Sequence, residues 1–102
     1  DTHDCIRAAG GFAVNILASD DERVARRFAA WEVDRKFDGL AYHTEATGYP
    51  VLDDAIGWVD CRLHAEYEGG DHTIFVGEVV AGNAVESSPL LYYRGGYGRF
   101  TP

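Results

Sequence analysis

The clearest pattern in the chain runs from Val59 to Tyr67, where Val59, Cys61, Leu63, Ala65 and Tyr67 interleave with Asp60, Arg62, His64 and Glu66. Successive side chains on a strand point to opposite faces, so the segment reads as a strand with its odd-numbered face inward and the other wet. Glu68-Gly69-Gly70-Asp71 follows as a hairpin turn, and residues 72–80 return as a more apolar partner strand. Upstream, Phe12 to Leu17 is short and apolar without clean alternation, which predicts a strand buried on both faces. Two helices flank it. Thr2 can cap a helix over residues 2–9, with Cys5, Ile6 and Ala9 at helical spacing and Gly10-Gly11 ending it. Ser19 and Glu22 form a capping-box signature before Val24, Ala25, Phe28 and Ala29, predicting a helix over 20–30. From Trp31 to Asp54 no period holds, and the aromatic content predicts a long packed loop. Pro89 to Tyr93 reads as a last short strand, and Arg94 to Pro102 as a glycine-rich tail. With no repeat, linker or low-complexity tract, residues 1–102 are expected to form one domain.

Composition narrows the partners more than the fold. The 102 residues suffice for one core, since a chain of this size buries roughly 60 to 70% of its unfolded surface. Hydrophobic content of 46% and charged content of 25% are ordinary for a soluble globular chain. A net charge of −8, with no basic cluster larger than the Arg26-Arg27 pair, excludes a phosphate-backbone partner over most of the surface, so no nucleic acid is expected. No apolar run approaches the ~20 residues that span a bilayer, and the first residues lack the basic and apolar regions of a signal peptide. Cys5 and Cys61 lie far apart in apolar surroundings and read as buried, reduced thiols of a cytoplasmic protein.

Candidate chemistry is sparse. Cys61 and His64 have a Cys-x-x-His spacing, but on a strand they point to opposite faces, and neither they nor His3 and Cys5 complete a metal set, so no metal is expected. Ser19, Ser87 and Ser88 have no nucleophile elbow or paired base. His43 reads as a solvated loop residue. What stands out is His72, which a glycine turn delivers onto the first residue of an apolar strand. By spacing alone it is either a hairpin-end side chain capping a backbone group or a site residue. Asp71 beside it fits the turn. Thr2 is either a plain N-cap or a phosphate contact at a helix start, with Asp1 and Asp4 adding negative charge there. Tyr92-Tyr93-Arg94-Gly95-Gly96-Tyr97 offers rings and a cation near two glycines, either an edge strand or a cleft wall.

The stretch Gly69-Gly70-Asp71-His72-Thr73-Ile74-Phe75-Val76-Gly77-Glu78-Val79, with Phe37-Asp38-Gly39 before it and Pro89-Leu90-Leu91-Tyr92-Tyr93-Arg94-Gly95-Gly96-Tyr97 after it, closely resembles the flavin reductase family. The resemblance runs from residue 1 to about residue 100. It implies a β-rich α+β fold, the FMN-binding split β-barrel, entered in mid-fold without its N-terminal strands. It also implies an NAD(P)H-dependent reductase of FMN or FAD. Hydride transfer needs two stacked rings, so the protein supplies orientation and electrostatics. His72 then becomes the catalytic candidate, able to hydrogen-bond a nicotinamide carboxamide or help supply a proton. Gly70 and Asp71 shape that site, Thr2 lies where the flavin phosphate is held, and Tyr93, Arg94 and Tyr97 wall the cofactor cleft. The resemblance further implies a homodimer and a separate monooxygenase that receives reduced flavin; a flavin-binding module without reductase activity, or an inactive fragment, is the alternative. No Gly-x-Gly-x-x-Gly fingerprint is present, so FMN versus FAD and NADH versus NADPH stay open.

Overall fold

A computed structural model of the protein describes residues 2–30 and 36–102. Its centre is a three-stranded antiparallel sheet in the order β1-β4-β5. Strand β1 (Gly11–Ile16) pairs with the first half of β4 (Gly57–Gly69), Gly11 opposite Arg62 and Ile16 opposite Gly57. On its other edge β4 pairs along its whole length with β5 (His72–Ala84) in a long hairpin that runs from Gly57 opposite Ala84 to Gly69 opposite His72. Both strands outrun the alternation that predicted them, because the irregular stretch 81–84 still finds backbone partners at 57–60. Register shifts at Asp60/Cys61 and Leu63/Ala65 bend the hairpin.

Helix α1 (Thr2–Ala9) precedes the sheet and stops at Gly10, whose φ of +79° suits glycine and whose N–H donates to the Ile6 carbonyl. Helix α2 (Glu22–Ala29) starts later than the capping box predicts. Asp21 occupies the cap position without a side-chain cap bond, so the Ser19 box does not form. Burial, with help from the Asp20 and Asp54 carboxylates, raises the Asp21 pKa. At the other end of α2 the Lys36 ammonium donates to the Phe28 carbonyl at 2.8 Å, a cation on the negative end of the helix.

The predicted long loop is not one. Strands β2 (Tyr42–Thr44) and β3 (Pro50–Leu52) form a short antiparallel hairpin inside it, too brief to show a period. The start of that loop, residues 31–35, lies outside the described residues. This hairpin carries the core: among the described residues Val51, Leu52 and Cys61 are the buried apolar side chains. Asn15 staples it to β1, donating to the Pro50 carbonyl at 3.3 Å and accepting the Leu52 N–H at 2.8 Å. Phe28 meets Phe37 edge to face at 5.0 Å, and Phe37 meets Tyr42 in a tilted contact at 5.2 Å between ring centres.

Several expectations about burial are corrected. Strand β1 is not buried on both faces, since Val14 and Ile16 are 44% and 50% exposed. Odd positions 61, 63 and 65 of β4 are more buried than 62, 64 and 66, as the alternation predicts, but Asp60 is 0% exposed. Both faces of the sheet are covered at this level. Thr47 lies over one face, giving its N–H to Asp60 Oδ2 at 2.9 Å and its hydroxyl to Oδ1, so the buried carboxylate is satisfied. On the Cys61 side, a Cβ placed at Gly77 would fall 2.6 Å from Phe12 Cζ and 2.8 Å from Cys61 Cβ, a contact only glycine allows. Cys61 is buried with its thiol pKa pushed up by desolvation, whereas Cys5 on α1 is exposed; both are free thiols. The glycine-rich tail also folds: β6 (Leu90–Tyr93) pairs with β7 (Gly96–Arg99), and this second hairpin attaches where Leu90 N–H meets the Leu17 carbonyl at 2.9 Å and Ser19 N–H meets that of Ser88 at 2.8 Å.

Candidate functional site

The β4–β5 turn delivers His72. Its two-residue loop, Gly70-Asp71, begins with a φ of +68° at Gly70, which glycine adopts without strain and which matches the sense of strand twist in a tight hairpin. Asp71 and His72 then project into solvent, 93% and 82% exposed at the side chain, with Asp71 Oδ1 2.7 Å from His72 Nδ1. When Nδ1–H donates to that carboxylate, the tautomer is fixed and Nε2 is left for an external partner.

Gly70, Asp71 and His72 line one side of an open cavity of about 650 Å³, and His3 and Arg7 of α1 line the other. Arg7 clamps the helix to the hairpin. Its Nε and Nη2 donate to the Glu66 carboxylate at 2.9 to 3.2 Å, and Nη2 also lies 3.0 Å from His3 Nε2. This pair raises the Arg7 pKa and holds the Glu66 carboxyl below the usual range, the hydrogen bond being the main cause on both sides. The His3 ring packs on Phe75 of β5 at 5.5 Å. The cavity thus brings together Gly70, Asp71 and His72, and adds His3, Arg7 and Glu66. Sequence reasoning missed His3, Arg7 and Glu66; the i, i+4 spacing of His3 and Arg7, which puts them on one helix face, is the signal that could have found the first two.

Thr2 does start α1, but it is exposed and stands outside that lining; Asp1, invoked beside it, lies outside the described residues. Tyr93, Arg94 and Tyr97 belong to the other hairpin. Tyr93 and Tyr97 line a separate open cavity of about 340 Å³ together with Leu91 and Arg99. Arg94 and Gly95 form the turn, both with positive φ (52° and 81°), and the Arg94 guanidinium sits 6.0 Å from the Tyr93 ring centre. Tyr97 is already engaged, meeting Tyr92 edge to face at 5.0 Å and carrying Arg26 of α2 over its ring at 4.9 Å. Apart from Thr2, the predicted site residues therefore fall on two hairpins whose cavities have no lining residue in common. Among the described residues no set of three or more His, Cys, Asp or Glu side chains gathers for a metal.

Comparison with known proteins puts these two hairpins in context. A flavin reductase of Pseudomonas putida is 44% identical over 96 residues, covering 93% of this chain and 56% of that protein. The reductase component of a 4-nitrophenol 4-monooxygenase/4-nitrocatechol 2-monooxygenase from Rhodococcus opacus is 44% identical over 101 residues, covering 99% and 54%. The chain spans about half the length of these curated relatives. Among solved structures, the NADH:FAD oxidoreductase of Streptomyces globisporus C-1027, in complex with NAD and FAD fragments, matches with a TM-score of 0.91 at 37% identity, over 99% of this chain and 62% of that one. The strand-rich architecture is that of flavin reductase structures. The model of the flavin reductase like domain matches residues 1–101, and the chain belongs to that family.

Proposed function

We propose that the protein is an NAD(P)H-dependent flavin reductase, transferring a hydride from reduced nicotinamide to FMN or FAD. The observation that carries this reading is His72, held on a rigid hairpin end beside an open polar cavity in a chain of this family. The cavity's 650 Å³ lies within the range of small-molecule sites. The bound flavin would supply the ring that accepts the hydride. The protein's share is orientation: Nε2 of His72 can meet a nicotinamide carboxamide or move a proton, while Asp71 holds the ring from Nδ1. Gly70 keeps the turn free of a side chain beside them. Tyr93, Arg94 and Tyr97 would serve flavin or nucleotide as a second wall, and Thr2 a phosphate.

NADH is the favoured donor, because relatives are named as NADH-dependent FMN and FAD reductases. Delivery of reduced flavin to a monooxygenase follows from relatives named as reductase components of such systems. A cytoplasmic homodimer completes the reading. The exposed apolar Val14, Ile16 and Val79 support a partner surface, and no helix among the described residues is long and apolar enough to cross a membrane. The test is steady-state NADH oxidation with added FMN or FAD by the full-length protein, beside a flavin titration. Flavin binding without NADH oxidation would make it a binding module instead.

A further inference from the structure

The β2–β3 hairpin pairs over three residues only, yet it supplies Val51 and Leu52 to the core. So brief a pair has few backbone bonds to hold it, and its remaining ties are side chains. On its inner side Asn15 and the Thr47–Asp60 contact fasten it to the sheet. In the middle of β2, opposite Val51, stands His43, whose side chain is 44% exposed. Its Nδ1 lies 2.6 Å from Asp53 Oδ1 and its Nε2 lies 2.7 Å from Glu45 Oε2. Glu45 follows β2 directly and Asp53 follows β3, so the ring links the two ends of the hairpin. The Asp53 N–H also closes the open end on the Ala41 carbonyl at 3.0 Å.

Two carboxylates on two ring nitrogens define a protonation state. A neutral imidazole has one N–H and one lone pair, so it can donate to only one of them, and the lone pair would face the other carboxylate. Only the imidazolium satisfies both. We infer that His43 is a pH-operated clasp on the β2–β3 hairpin: protonated, it satisfies Glu45 on its own strand and Asp53 across the pair together, and on losing its proton it leaves the two carboxylates to compete for one N–H, so the cross-strand tie to Asp53 weakens. The Asp53 hydrogen bond foremost, and then Glu45, raise the ring's pKa above the ordinary histidine value; among the described residues these are the charged groups acting on it. The sign follows from linkage. A raised folded-state pKa means the clasp is fully present below the ordinary value of about 6.5 and is lost as pH rises through the folded one. The device lies apart from the His72 cavity, so it stands or falls independently of the proposed reductase activity.

The experiment follows the His43 ring proton by NMR from pH 5 to 9 in the full-length protein, together with amide hydrogen exchange of residues 42–44 and 50–52 corrected for intrinsic rates. His43 should titrate above about 6.5, and hairpin protection should fall by about tenfold per unit of that upward shift as pH passes through it. Glu45→Gln and Asp53→Asn should each move both midpoints down together, and His43→Gln should abolish the step. Titration of His43 at or below the ordinary value, or hairpin protection without a step in the wild type, would overturn the clasp. Should His43→Gln fail to fold, the two carboxylate variants carry the test alone, and a step that they leave in place also overturns it.

Discussion

Asp71 and His72 show how little of a site's chemistry lies in one side chain. The imidazole is 82% exposed and is hydrogen-bonded to Asp71, so in the proposed site its value is direction, which the Gly70 turn and the Asp71 carboxylate supply. For the proposed reductase, His72→Ala should lower the rate of flavin reduction by NADH by roughly 10- to 10⁴-fold, the span from a lost orienting contact to a lost acid–base group. Flavin affinity should change far less, because the substitution leaves the second hairpin intact. Stopped-flow reduction beside a flavin titration separates these effects, and unchanged kinetics in a folded variant would leave His72 a turn residue. The cysteines give a second residue-level test. Cys5 is exposed and Cys61 buried with a raised pKa, so under native conditions one thiol should react quickly with a thiol reagent and the other only on unfolding. Two native thiols of equal rate would contradict the burial of Cys61. Cys61 was legible as buried because it sits in a regular alternation. Cys5 was not, because a short helix in sequence does not reveal which face meets the sheet.

At the level of elements, the turns decide more than the strands they join. The β6–β7 turn needs two residues with positive φ, and Arg94 at 52° takes one of them, a place where most side chains are disfavoured. Gly95→Ala, at φ 81°, should therefore cost about 1 to 2 kcal/mol of stability, whereas Gly98→Ala, with ordinary φ and open space around its Cβ, should be nearly neutral. Thermal unfolding of the pair checks this, and equal melting temperatures would reject the turn geometry. The return strand β7 and the β2–β3 hairpin are what the sequence left hidden, whereas β6 was expected. Helices over residues 2–9 and 22–29 and the Val59 to Val80 hairpin were legible, since each shows a period or a terminating glycine over enough residues to be read. Tyr42–Thr44 with Pro50–Leu52, and Gly96–Arg99, are three- and four-residue strands held by backbone pairing and, for the first pair, by the distant Asn15, which leave no local signal. Asp60 was misplaced for the same reason: alternation counts one covered face, and the Thr47 loop that covers the other comes from thirteen residues away. The site divides likewise. Gly70, Asp71 and His72 could be proposed together because they are contiguous, while Glu66 joins their cavity only through the hairpin register and the Arg7 clamp.

Across the whole molecule, a net charge of −8 makes every compensated carboxylate count in the response to pH. The Arg7–Glu66 clamp holds α1 on the β4–β5 hairpin and keeps the Glu66 pKa below its ordinary value of 4.5. A depressed carboxylate contributes stability that is complete above the unfolded-state pKa and is lost as pH falls through the folded one. The His43 group works in the opposite sense, its contribution fading as pH rises. Together the pair and the inferred clasp would act on stability from opposite ends of the pH scale. Both groups are exposed, so salt should weaken each. The difference in unfolding midpoint between wild type and Glu66→Gln should be constant from pH 5 to 6, shrink as pH drops below about 4.5, and be smaller throughout in high salt. Denaturant unfolding of the two proteins along a pH series measures it. A difference that stays constant down to pH 3 would mean that Glu66 stabilises the helix by packing alone, and that Arg7 reaches it without charge pairing.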